Sequence, residues 1–146
     1  MLLHNEPLEF KRTYKVSPIQ LWTAITRHDQ MVQWYFDNFP DFKAEVGFTT
    51  KFDVQAPSQV FVHNWHVTEV ITEKRIVYEW TFDDIPGRGS TTWEVHPDGD
   101  GSALILTDRI HEDYPQDVPE FKRESAVGGW TYFLDERLGP YLASGV

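Results

Sequence analysis

Val127-Gly128-Gly129-Trp130-Thr131-Tyr132-Phe133-Leu134-Asp135-Glu136-Arg137-Leu138-Gly139-Pro140-Tyr141 is the stretch that decides the fold. Val127, Trp130, Leu134, Leu138 and Tyr141 recur at spacings of three and four, which gathers them on one face of a helix. A helix with one apolar face needs a partner to bury it against. The partner lies upstream. Glu45 to Val54, Val60 to Ile71, Arg75 to Phe82, Thr91 to His96 and Ala103 to Ile110 are rich in β-branched and aromatic residues and bounded by turn signals. The linkers Thr72-Glu73-Lys74, Asp84 to Gly89 and Pro97 to Gly101 are short enough to join neighbouring antiparallel strands. The middle of the chain therefore predicts a meander. Before it, Leu8 to Val16 alternates as a first strand, and Ser17-Pro18 offers an N-cap hydroxyl followed by proline at the first helical position. Leu21, Trp22 and Ile25, then Met31-Val32-Gln33-Trp34, predict two short helices broken around His28-Asp29. His111 to Glu120, with two prolines and several acids, reads as a loop. Together these elements predict an α+β fold, with 1–146 as one domain.

Composition narrows the function. The chain has no cysteine, which excludes disulfides and thiolate metal sites. A formal charge of -10, with scattered Lys and Arg, disfavours nucleic acid and anionic membrane surfaces. Met1 to Glu6 lacks the basic and apolar regions of a signal peptide, and no apolar run is long enough to span a membrane. A cytoplasmic location is expected. The aromatic share is 15%, so either the core is rich in rings or some of them line a cavity.

Few patterns suggest catalysis or metal binding. His63 and His66 stand three apart, which in a strand points them to opposite faces. Asp98-Gly99-Asp100-Gly101 lacks the spaced oxygen ligands of a calcium loop and reads as a tight turn. Gly87-Arg88-Gly89-Ser90 lacks the Lys-Ser/Thr of a phosphate loop, and no serine sits in a GxSxG elbow. Neither an enzyme, a metal nor a cofactor is expected. The aromatic alternation is more telling. Ile76, Tyr78, Trp80 and Phe82 share one strand face, as do Thr91, Trp93 and Val95 on the next. Both faces should look toward the Trp130–Leu134–Leu138–Tyr141 stripe. Rings with polar handles on facing elements suit a ligand cavity, although packed core is the simpler use of any one of them. Arg137 falls near Trp130 on a regular helical wheel. Its stem could pack while the guanidinium reaches water, or the cation could turn inward to pair with Asp108 or an acidic ligand.

Several runs, in order, resemble a known family. They are Leu21-Trp22-Thr23-Ala24-Ile25-Thr26, Trp34, Val46-Gly47-Phe48, Lys74 to Trp80, Ser90-Thr91-Thr92-Trp93, Asp100-Gly101-Ser102, and Gly129-Trp130 with Leu134. The set is similar to the heat shock protein 90 ATPase activator homologue family of the START-like (Bet v 1-like, SRPBCC) superfamily. The resemblance implies a helix-grip fold, in which a curved antiparallel sheet wraps the last helix. It also implies binding of a small apolar or aromatic molecule in the gap. Asp108 stands where many members carry a histidine late in the last strand, so no role of that histidine transfers. Trp34, Tyr78, Trp80, Trp93, Asp108, Trp130, Leu134, Arg137 and Tyr141 are the expected ligand-binding residues. A chaperone-interacting protein and a polyketide cyclase-like enzyme are the alternative readings.

Overall fold

The computed structural model describes residues 6–144, so Met1 to Asn5 of the N-terminal run lie outside the described residues. In chain order the elements are β1 (Leu8–Tyr14), α1 (Pro18–Thr26), α2 (His28–Trp34), β2 (Thr49–Gln55), β3 (Val60–Ile71), β4 (Arg75–Phe82), β5 (Ile85–Asp98) and β6 (Gly101–Glu112). A short 3-10 turn (Pro119–Phe121) leads into α3 (Arg123–Thr131), a π-helical stretch (Tyr132–Leu138) and α4 (Gly139–Ala143). The strands form one sheet in the order β1-β6-β5-β4-β3-β2, antiparallel throughout. The meander from β2 to β6 follows directly from the short linkers, and β1 closes the far edge against β6. The final helix lies across the sheet and is gripped by it. This is the helix-grip fold.

Local chemistry sets the helix starts. Ser17 caps α1: its hydroxyl accepts from Gln20 N–H at 3.2 Å, and the Gln20 side chain accepts from Ser17 N–H at 2.9 Å. The break between α1 and α2 falls at Arg27, in an extended conformation. Trp34 then ties the two helices together through Nε1–H to Ala24 O at 2.8 Å.

Three boundaries differ from the sequence reading. Glu45 to Phe48 turns ahead of β2, with Gly47 at φ +93, and is tied to β3 by Gly47 N–H to Val67 O and Val67 N–H to Phe48 O, both at 2.9 Å. The segment 84–89, read as a loop, mostly joins β5; the connection is a two-residue turn, because Phe82 pairs with Ile85 and Asp84 takes φ +61. Gly87 at φ +117 and shifts of register beside Phe82 and Gly89 let this glycine-rich run stay in the sheet. Similarly, β6 absorbs His111 and Glu112, and the rest of that predicted loop forms the approach to the 3-10 turn.

The helical stripe is also modified. Trp130, Leu134, Leu138 and Leu142 are the buried row. Steps of four in a regular α-helix drift by about 40° each. The wider turns of the π-helical stretch rotate less per residue and bring the row back into line. Two features favour the stretch. Pro140 has no N–H to give the regular ladder, and Leu134 O accepts from both Gly139 N–H and the Tyr14 hydroxyl, the latter at 3.1 Å. As a result Leu142, not Tyr141, completes the buried row; Val127, upstream of the stretch, is exposed.

Candidate functional site

The inner face of the sheet carries rings along its whole length, and its two halves are used differently. At one half, α1, α2 and the segment that follows them press onto the strands. Tyr78, Trp93, Trp65 and Trp34 are each at most 1% exposed there. Tyr35, just past α2, sits at the centre: it stacks on Trp34, Trp65 and Trp130 and meets Trp93 edge-on. This half is packed core. Burial pushes the hydroxyls of Tyr35 and Tyr78 far above the usual phenol range, so both stay neutral. The two hydroxyls and the Trp93 indole influence one another, but none makes a hydrogen bond of good geometry to the described residues.

At the other half the wall is open. A cavity of about 340 Å³ lies between the sheet and α3, within the range of small-molecule sites. Phe61, Trp80 and Phe82 form its sheet side; Trp130 and Phe133 form its helix side; Phe36 lies between. Tyr114 and Phe121, from the segment after β6, stack at 4.7 Å and flank the mouth with Glu120. Glu120 bridges to the β2–β3 turn, accepting from Ser58 Oγ–H at 2.6 Å and Ser58 N–H at 3.0 Å. Gly129 and Ala126 leave room on the helix side, where a Cβ at Gly129 would meet nothing within 4 Å.

Two titratable groups line the interior. Asp108, on β6 opposite Thr91, accepts from Trp130 Nε1–H through Oδ2 at 2.8 Å. Desolvation raises its pKa, opposed by that bond and by the nearby charge of Arg123. His63, on β3, lies between Phe52, Trp80 and Phe82. Burial lowers its pKa to about 4, so the ring is neutral. Its Nδ1–H donates to Phe61 O at 3.2 Å, a carbonyl that can only accept, so the lone pair sits on Nε2.

The structure therefore divides the expected residues. Trp80, Asp108 and Trp130 meet at the cavity. Trp34, Tyr78, Trp93 and Leu134 lie in the packed core behind it. Tyr141 is half-buried beyond the buried row. Arg137 is turned away as well, because the π-helical turns rotate it off the Trp130 face. Its guanidinium donates to Gln33 O at 3.2 Å and Tyr132 Oη at 3.3 Å. No pairing with Asp108 forms, and an acidic ligand in the cavity would not meet this cation. Phe61, His63, Phe82, Tyr114, Phe121 and Phe133 also line the cavity and were not among the expected ligand-binding residues, although alternation did turn Phe82 to the inner face. Alternation from Trp65 back through His63 to Phe61 carried a signal for two of them. Tyr114 and Phe121 gave only the faint one of aromatics in an acidic loop.

His66 lies on the outer face, opposite His63. Among the described residues, no three His, Cys, Asp or Glu gather as a metal site, and no helix is long and apolar enough to cross a membrane.

Comparison with known proteins follows the same lines. The family model described as "Activator of Hsp90 ATPase homolog 1-like protein" matches residues 15–143. Among solved structures, protein CV1439 from Chromobacterium violaceum superposes with a TM-score of 0.76 at 21% identity, covering 93% of this chain and 96% of that one. The AHSA1 protein from Silicibacter pomeroyi gives 0.73 at 21% identity, covering 97% and 100%. DynU16, a protein in the dynemicin biosynthetic locus, gives 0.74 at 19% identity over 95% of this chain but only 48% of its own. No curated protein matches. At these identities the superpositions establish the fold.

Proposed function

The chain belongs to the activator of Hsp90 ATPase homolog 1-like family, and from that premise we propose that it binds a small apolar or aromatic molecule between its sheet and its final helix. The observation that carries this reading is the ring-lined cavity of about 340 Å³. The half-buried rings of Phe36, Trp80, Phe82, Phe121 and Phe133 gather around it, while the rings of the other half are packed shut. Apolar surface kept open in a core is normally the mark of a binding site, since closing it would contribute roughly 25 cal/mol per Å². A cytoplasmic location belongs to the same proposal and rests on the cysteine-free composition.

Binding without catalysis is the form of the proposal. The Ser90 Oγ–His111 Nε2 contact, at 2.7 Å, would be the natural start of a nucleophile, but alternation from Thr91 puts Ser90 on the outer face. The polyketide cyclase-like and chaperone-interacting alternatives draw on resemblance and on relatives' names, without a feature of the cavity that favours either.

Tryptophan fluorescence tests the proposal. A ligand from an aromatic library should quench emission saturably, and Trp80→Leu or Trp130→Leu should each weaken binding by ~1 kcal/mol, the scale of an aromatic pair. Ala126→Phe, which projects into the open space, should abolish binding while the protein still melts cooperatively. If no compound saturates the wild type, or Ala126→Phe binds as well as wild type, the cavity is not the site.

A further inference from the structure

The ionisable lining of the cavity is one-sided, and that bears on which molecules can enter. The Thr91 hydroxyl and the Trp80 Nε1–H, the latter unpaired among the described residues, are the neutral donors of the lining, and neither carries a positive charge. Asp108 uses Oδ2 to accept from Trp130, which leaves Oδ1 with no partner among the described residues. His63 spends its one N–H on Phe61 O and keeps an acceptor lone pair on Nε2. Glu120 at the mouth is a carboxylate already accepting from Ser58. The Tyr114 hydroxyl is committed as a donor to Trp80 O at 2.8 Å. Among the described residues, no lysine or arginine lines the cavity. Arg123 acts on Asp108 only through space, with its guanidinium donating to Glu6 O at 2.6 Å. Arg137 faces elsewhere.

A carboxylate oxygen and a bare imidazole nitrogen at the cavity both need donors, and either one left unpaired when a ligand displaces water costs its full desolvation. A second carboxylate brought beside Asp108 would repel it at low dielectric, with no cation to offset the cost. From this lining we infer that the cavity selects an apolar molecule carrying a hydrogen-bond donor, neutral or cationic (an aryl alcohol, a phenol or an aryl amine), and rejects aryl carboxylates. The inference rests on the binding function proposed above and names the ligand class of the same site. Burial of Asp108 and His63 works in the same direction. Desolvation works against the charged form of Asp108, and an ammonium beside it favours that form through a charge-assisted bond. The net charge of -10 adds a field that favours cations at the mouth.

Three probes of matched shape separate the possibilities: 1-naphthylmethylamine, 1-naphthylmethanol and 1-naphthoate, titrated calorimetrically into the full chain at pH 7. The amine and the alcohol should bind, with the carboxylate at least tenfold weaker. Asp108→Asn keeps an oxygen for the Trp130 N–H, and its thermal melt checks that the fold is retained. In this variant the amine should lose its advantage over the alcohol, and the carboxylate should gain. Carboxylate binding as tight as amine binding would overturn the inference, as would an Asp108→Asn ranking identical to wild type; either result leaves the binding function standing. If none of the three binds and the wider library is also silent, the binding function falls and the ligand class falls with it.

Discussion

His63 sets a cost that depends on pH. Its ring is buried and neutral, with a pKa lowered to about 4 from the ordinary 6.5. Between those values the unfolded chain binds a proton that the folded chain does not, so stability is complete above pH 6.5 and falls as pH drops toward 4. The loss should approach ~3 kcal/mol, taking about 1.4 kcal/mol per pKa unit. His63→Phe keeps a ring in the slot and should flatten that part of the curve; Tm measured from pH 7 to 4 for both proteins checks it, and parallel curves would contradict it. Gly87 makes a second prediction at this scale. It sits at φ +117, and a Cβ there would run into the Tyr114 ring. Gly87→Ala should cost ~2 kcal/mol of stability through backbone strain alone. It should also weaken ligand binding, because Tyr114 must move from the mouth. A neutral effect in denaturant melts and titrations would show that the strand end yields without cost.

Among the elements, the final helix shows how far sequence could be read. Trp130, Leu134 and Leu138 were legible because spacings of three and four place them together whether or not a turn is widened. Tyr141 and Arg137 were not, because a regular wheel assumes one rotation per residue, and the π-helical stretch changes it beside Pro140. In the strands, period-two alternation put Tyr78, Trp80 and Trp93 on the inner face of the sheet correctly, yet alternation cannot say which of two inward rings meets another element. Tyr78 and Trp93 meet Tyr35 and close over; Trp80 meets open space. The mouth depends on Glu120 and Ser58, which join the 3-10 turn to the β2–β3 turn across exposed surface. An exposed contact of this kind contributes little to stability but can govern access. Ser58→Ala should leave Tm nearly unchanged and raise both association and dissociation rates severalfold in stopped-flow quenching. Unchanged rates would mean that ligand enters elsewhere.

Across the whole molecule, the sheet and the helix each supply one wall, so neither is complete alone. Removal of the chain from Val127 onward should leave a product without a cooperative melt, since Trp130, Leu134, Leu138 and Leu142 all leave the core with it. The central claim is that one half of this core is packed and the other half is kept open for a ligand. The six tryptophans report on it separately through their indole N–H signals in a proton–nitrogen correlation spectrum. Trp80 and Trp130 line the cavity, while Trp22 on α1 lies outside the ring network. Titration with 1-naphthylmethanol should shift the Trp80 and Trp130 signals saturably and leave Trp22 in place. Signals that stay fixed at saturating probe, or a Trp22 signal that moves as far as Trp80 and Trp130, would contradict the account.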